Sequence, residues 1–267
     1  MPEYISSRKN EIVRQAAALA GSAALRRENG AYLCEGARLC EDAARSGVEI
    51  QRLFYTEKAA EKYSRYLNAC LAAAREVYEI PDSVAALLSE TKNTQGIFAV
   101  CRMERDTHAL SALPGKGRLL AVENMQDPAN LGAVLRTAEA LGIAGVLLVG
   151  ECCDIYSPKV LRASMGAVFR LPFYEAEDIT VALAALHALG YTAYAAVPDA
   201  AARPIHTCCF TEGSAVFIGN EGNGLTEAAR LGCDVPVTIP MQGRAESLNA
   251  AAAASIVMWE LCRPRED

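Results

Sequence analysis

The sequence predicts an α/β protein in two parts: a small mixed module, then a larger unit built on a parallel sheet. Three observations predict it. In the C-terminal half, apolar strands such as 119–123, 146–149 and 215–219 alternate with helical segments, the pattern of a sheet covered on both faces. Residues 106–117, with Pro114, Gly115 and Gly117 near the end, have the composition of a linker. The apolar fraction, 52% of 267 residues, is ample for packed cores. The expected division is 1–106, a linker at 107–117, and 118–267.

Each element follows from a local pattern. Residues 9–28 show apolar and charged faces at helical spacing, and 31–36 read as a strand leading into a helix at 37–46. Another strand covers 48–55. Helical pattern returns over 58–75, 77–80 is extended, Pro81 and Asp82 open a short helix, and 96–102 is strand-like. Beyond the linker come strand 119–123, helix 130–141, strand 146–149, helices 158–165 and 178–189, strands 192–197, 215–219 and 235–239, and helix 247–262.

No apolar run reaches the ~20 residues of a membrane span. Glu3, Arg8, Lys9, Glu11 and Arg14 interrupt any secretory leader, so a cytoplasmic protein with no membrane partner is expected. Ten cysteines form no C-x-x-C pair, the doublets Cys152/Cys153 and Cys208/Cys209 suit metal ligation poorly, and only three histidines are present. The thiols read as small apolar fillers in a reduced compartment, with no metal site. A net charge of −6 does not by itself favour a nucleic-acid partner. Its distribution matters more: the first 110 residues hold 15 Lys/Arg and 15 Asp/Glu, leaving 11 and 17 in the remainder. The pairs Arg8/Lys9 and Arg26/Arg27, with Arg38 and Lys92, are either ordinary solvated surface or a set that faces RNA.

Three strand-to-helix junctions in the C-terminal half carry chemistry. In the first, N-M-Q-D-P-A-N-L-G-A-V-L-R (124–136), Asn130 is expected to cap a helix whose buried stripe is Leu131, Val134, Leu135, Ala138 and Leu141. Arg136 lies off that stripe above small neighbours, open to a bulky substrate or paired with Glu139. In the second, three glycines among Gly219, Asn220, Glu221, Gly222, Asn223 and Gly224 permit positive φ and close approach of a ligand to the backbone. The order matches neither a dinucleotide fingerprint nor a P-loop. Glu221 either orients a ligand hydroxyl or caps the short helix after Thr226. The third, I-P-M-Q-G-R-A-E-S-L-N (239–249), gives Ser247 as the expected N-cap with Asn249 at the second helical position, before an alanine-rich helix. Open α/β sheets bind ligands where such loops meet, at the carboxyl ends of the strands.

Together these segments resemble the signature motifs of the SpoU (TrmH-like) RNA ribose 2′-O-methyltransferases: Asn130 and Arg136, then G-N-E-G-N-G-L (219–225), then the 239–249 run. The similarity spans 119–261. The N-terminal half is similar to the family's accessory RNA-binding domain of ribosomal-protein L30-like fold, through S-R-K-N (7–10), E-G-A-R (35–38) and T-K-N-T-Q-G-I (91–97). The resemblance implies a small α/β L30-like domain followed by a SPOUT domain with a deep trefoil knot. It implies S-adenosyl-L-methionine bound in that knot by Gly219, Ile239 and Leu248 with Met241 close by, and a homodimer through the knotted domain. By the same resemblance Arg136 is catalytic and Asn130 supports it, while Glu221, Ser247 and Asn249 shape the pocket. Arg8, Lys9 and Arg38 are the candidate RNA contacts.

The reaction implied is 2′-O-methylation of a ribose, in 23S ribosomal RNA because of the accessory domain. The alternatives are a tRNA ribose methyltransferase, a base methyltransferase of another SPOUT family, and a non-catalytic RNA-binding assembly factor with the same fold.

Overall fold

A computed structural model of the chain describes residues 2–103 and 109–264. These form two units, one of residues 2–103 with Asp154–Arg170, the other of 109–153 with 171–264.

The first unit begins with β1 (Glu3–Tyr4) and α1 (Glu11–Gly21), whose N-terminus is capped by Asn10. The single helix expected over 9–28 is two. Ser22 is extended (φ −136°), and its hydroxyl accepts from the Leu25 N–H to start α2 (Ala23–Asn29). Then follow β2 (Ala31–Glu35), α3 (Ala37–Arg45), β3 (Ile50–Tyr55), α4 (Glu57–Lys62), α5 (Ser64–Ala73), β4 (Ala74–Glu79), α6 (Asp82–Leu88) and β5 (Ile97–Arg102). The sheet order is β1-β4-β3-β5-β2, with β5 antiparallel to both its neighbours and β4 parallel to both of its own. Val13, Ala16 and Leu19 of α1 and Val84, Ala85 and Leu88 of α6 pack on Leu33, Phe54 and Phe98 of the sheet. Cys34, Cys40, Cys70 and Cys101 are buried on the α3 and α5 side, where burial pushes the Cys34 and Cys40 thiols well up and the Cys70 thiol up to about 12. Protonated thiols of this kind pack as small apolar side chains.

The second unit opens with β6 (Arg118–Glu123), α7 (Pro128–Ala140) and β7 (Gly145–Val149). After β7 the chain forms α8 (Pro158–Ser164), then β8 (Phe173–Ala176), a strand the sequence reading did not include. It continues through α9 (Ile179–Ala188), β9 (Thr192–Ala196), β10 (Arg203–Pro204), β11 (Ser214–Ile218), α10 (Glu227–Gly232), β12 (Val235–Thr238) and α11 (Ala250–Cys262). The seven strands are all parallel, in the order β10-β12-β9-β11-β6-β7-β8. β6, β7 and β11 are buried at every position or nearly so, as the continuous apolar runs require. Leu119, Ala121, Leu147, Val149, Ala215 and Phe217 face α9 and α10. α11 packs on α7 and over β11 and β6. Of the expected linker, residues 107–108 lie outside the described residues, as does the boundary at 106. The part from 109 is no open tether: Leu113 is buried in this core, and Pro114 carbonyl accepts from the Tyr191 hydroxyl at 2.8 Å.

The segment Asp154–Arg170, between β7 and β8 in sequence, packs within the first unit. Arg26 pairs with Asp154 at 2.6 Å and donates to the Leu19 and Ala20 carbonyls. Arg170 pairs with Asp42 at 2.6 Å, Arg162 lies 3.5 Å from Glu90, and the rings of Tyr32 and Tyr156 stack at 4.5 Å. Arg26 is therefore no surface base. It is 4% exposed, and its charge is spent on Asp154.

Candidate active site

The carboxyl ends of β6, β11 and β12 carry the loops that hold the motif residues. Asn130 does not cap α7. Asp127 does, its carboxylate accepting from the Ala129 N–H at 2.7 Å, with Pro128 as the first helical residue. Asn130 is thereby one turn inside the helix, and its amide is free for other work. Its Nδ2 donates to Glu221 at 3.0 Å, and its Oδ1 accepts from Asn249 Nδ2 at 3.0 Å.

Asn249, rather than Ser247, is the N-cap of α11, its Oδ1 accepting from the Ala251 and Ala252 N–H groups at 3.0 and 3.2 Å. Both side chains can accept and donate; Asn249 does both, capping through Oδ1 while its Nδ2 donates to Asn130. Ser247 stays exposed in the loop before it.

Asn130 is bonded to both other junctions, and Glu221 ties the second to the first. Besides Asn130 it accepts from the Asp127 N–H at 3.2 Å and the Gln126 N–H at 3.4 Å. Burial alone would raise its carboxyl; these hydrogen bonds, with one from its own backbone, outweigh burial and hold the group below the ordinary carboxylate range. It does not cap the helix that follows. Thr226 does that, held in turn by the buried Glu123 through bonds of 2.7 and 2.8 Å.

Arg136 is exposed near the C-terminal end of α7 and forms no hydrogen bond or ion pair with another described residue. The pairing with Glu139 that the sequence allows is not made. Nor does a hydrogen bond join it to Asn130, which lies six residues, about 9 Å of helix, away. Leu131, Val134, Leu135 and Ala138 are buried as the helical stripe predicts, while Leu141 is only half-buried.

Beside this network lies a cleft of about 590 Å³, lined by Gly219, Glu221, Ile239, Met241, Ser247 and Leu248 among others. Asn130, Arg136 and Asn249 are outside its lining. Gly219 is buried. A Cβ there would come 2.0 Å from the Gly224 carbonyl carbon and 2.1 Å from the Leu225 nitrogen, so the loop doubles back against it. Only Gly224 of the three loop glycines needs positive φ (+67°). Ile239 is half-buried, and Met241 and Leu248 are 37% and 38% exposed at the rim.

Arg8, Lys9 and Arg38 are exposed. Arg8 and Lys9 precede α1 and Arg38 lies in the first turn of α3, helices that cover opposite faces of the first sheet. The sequence reading missed Glu123, Gln126 and Asp127; of these, only Asp127 had a local signal, an acidic side chain directly before a proline.

Residues 117–259 match the SpoU rRNA Methylase family, and residues 10–99 match the MRM3-like substrate binding domain. The chain belongs to the SpoU rRNA methylase family. It is 32% identical to an uncharacterized tRNA/rRNA methyltransferase of Synechocystis, over 97% of this chain and 93% of that one. It is 31% identical to the 23S rRNA (uridine(2479)-2′-O)-methyltransferase of Streptomyces viridochromogenes, over 96% and 91%. The crystal structure of an AdoMet-bound rRNA methyltransferase from Sinorhizobium meliloti superposes with a TM-score of 0.85 at 27% identity, covering 97% of both chains.

Proposed function

We propose that this protein transfers a methyl group from S-adenosyl-L-methionine to the 2′-hydroxyl of a ribose in 23S ribosomal RNA. The observation that carries this reading is the convergence of Asn130, Glu221 and Asn249, one from each junction, beside a cleft large enough for a nucleoside-sized ligand.

The cleft fits the cofactor. Its volume falls within the usual range for small-molecule sites, its lining mixes apolar side chains with backbone groups, and Gly219, Ile239, Met241 and Leu248 would hold the ligand. When bound, the cofactor supplies an electrophilic methyl on a sulfonium. The chain's residues must then bring an RNA hydroxyl in line with that methyl and favour loss of its proton as the O–C bond forms and the C–S bond breaks. Arg136 is suited to hold the adjacent phosphate and to set a positive charge against the developing alkoxide. Its guanidinium stays protonated, so it is a donor and not a base. Glu221, Asn130 and Asn249 keep the three loops in register, and the exposed Ser247 borders the pocket.

Ribosomal RNA is favoured over tRNA by the unit that precedes the methylase domain, which is proposed to bind RNA with Arg8, Lys9 and Arg38 at its surface. A homodimer is favoured by the apolar side chains α11 leaves uncovered, Ile256 at 38% and Trp259 at 56% exposed. A deep trefoil knot accords with α11 returning from β12, the strand next to the edge, to pack on β11, β6 and α7. The proposed compartment is the cytoplasm.

The test is transfer of labelled methyl to unmodified ribosomal RNA and, separately, to unmodified tRNA. Labelling of ribosomal RNA alone is expected. Labelling of tRNA alone would move the substrate class, and labelling of neither, in naked or ribosomal form, would favour a binding factor.

A further inference from the structure

We propose that Asn124, outside the cleft, and Asn220, which lines it between Gly219 and Glu221, form a positioning pair that fixes the first junction against the second. The inference rests on the functional reading given above.

Asn124 ends β6 in the left-handed region (φ +53°), a conformation that a non-glycine residue adopts rarely and asparagine more readily than most. Its side chain justifies the choice. Oδ1 accepts from the Glu151 N–H at 2.8 Å, which fastens the turn to the loop after β7. The turn frees the Asn124 carbonyl to accept from Asn220 Nδ2 at 2.7 Å, the shortest side-chain link between the first and second junctions. Asn220 is bonded through side chain and backbone alike: its Oδ1 accepts from the Gly222 and Asn223 N–H groups at 2.8 and 3.3 Å, and its backbone exchanges two bonds with Gly224 at 2.9 and 3.0 Å. One amide therefore shapes the loop that carries Glu221 and ties it to the strand end that presents the Gln126 and Asp127 N–H groups.

The consequence is geometric. Glu221 receives those two N–H groups only if the two loops keep their separation, and its Oε1 then holds Asn130. A shift between loops of the order of 1 Å is enough to cost a reaction about 100-fold when it misplaces a positioned group. The same shift would withdraw donors from Glu221, and its carboxyl would rise toward the ordinary range.

Asn220→Asp is the informative variant. It is isosteric and keeps the oxygen that receives Gly222 and Asn223, but it turns an acceptor toward the Asn124 carbonyl. In the full-length variant the expected results are a fall in kcat on the order of 100-fold, a loss of cofactor affinity about 10-fold smaller than that fall, and a raised Glu221 titration that persists at high salt, where repulsion by the new carboxylate is screened. That titration would be followed by carboxyl carbon NMR and assigned with Glu221→Gln. Asn124→Gly keeps both the left-handed turn and the acceptor carbonyl, and is expected to stay within about 5-fold in kcat. An unmoved Glu221 titration in Asn220→Asp, or equal losses of cofactor binding and kcat, would overturn the proposal. Absence of methyl transfer by the unaltered chain would overturn the functional reading instead, and the titration, which needs no turnover, would still decide the positioning role.

Discussion

Replacing Glu221 by glutamine removes the charge that ties the second junction to the first and leaves the side-chain shape. Three donors face that carboxylate, at 3.0, 3.2 and 3.4 Å. A hydrogen bond to a charged acceptor contributes about 1.5–3 kcal/mol when sheltered. The Glu221 side chain is exposed, so screening reduces each to about 0.5–1 kcal/mol. Glutamine can keep the oxygen that receives both Asn130 and Asp127 and turns its NH₂ toward the Gln126 N–H, so one bond is lost and the other two, no longer to a charged acceptor, fall to about half. The sum, about 1–2 kcal/mol, corresponds to a roughly 5- to 30-fold slower methyl transfer if the alignment of Asn130 is what fails. The assay is single-turnover transfer of labelled methyl at saturating cofactor, with cofactor affinity measured separately by calorimetry. The pH dependence has a definite sign. Because the folded carboxyl is depressed, Glu221 is ionised and holds its donors throughout the neutral range, and its contribution disappears only as pH falls below the ordinary glutamate range. The unaltered enzyme should therefore keep its Glu221-dependent rate down through that range, and the glutamine variant should show no acid limb from this group. A variant within 2-fold of the unaltered rate at neutral pH would refute the reasoning.

Other consequences follow from the same geometry. Arg136→Ala should lower kcat about 100- to 1000-fold while cofactor affinity stays unchanged, as expected of a group that acts on developing charge; kinetics and calorimetry on one preparation check this. Gly219→Ala drives a methyl group to 2.0 Å from backbone, so cofactor binding should weaken at least about 10-fold and stability fall by about 1–3 kcal/mol in urea titration. Arg26→Ala leaves Asp154, only 15% exposed, without its partner and should destabilise the first unit by about 3–5 kcal/mol by thermal unfolding. If the proposed homodimer forms through this face, Trp259→Glu should shift the protein to a monomer in sedimentation velocity, since it places a charge on the apolar face of α11.

Much of this was legible in the chain. Continuous apolar strands gave the parallel sheet, and the glycines and prolines at 128, 219 to 224 and 240 marked the loops that converge on it. What escaped were choices between two chemically competent neighbours. Asp127 and Asn130 can both cap a helix, as can Ser247 and Asn249, and the winner in each case is set by a partner far along the chain. Asp127 caps, so Asn130 is left to reach Glu221, 91 residues away. Asn249 caps and at the same time donates to Asn130, 119 residues away. The burial of Arg26 was hidden for the same reason: its carboxylate partner lies 128 residues downstream, in a segment whose packing within the first unit no local pattern announces. Local periodicity reads faces and turns; it does not read which distant polar group completes a hydrogen bond.

The most direct test of the central claim is the alkali resistance of the labelled product. Methylation of a 2′-oxygen removes the internal nucleophile that cleaves the adjacent phosphodiester, so the label should survive alkaline hydrolysis in a single dinucleotide derived from 23S ribosomal RNA. Label recovered in mononucleotides would mean that a base is methylated, and would contradict a ribose-directed reaction at Arg136.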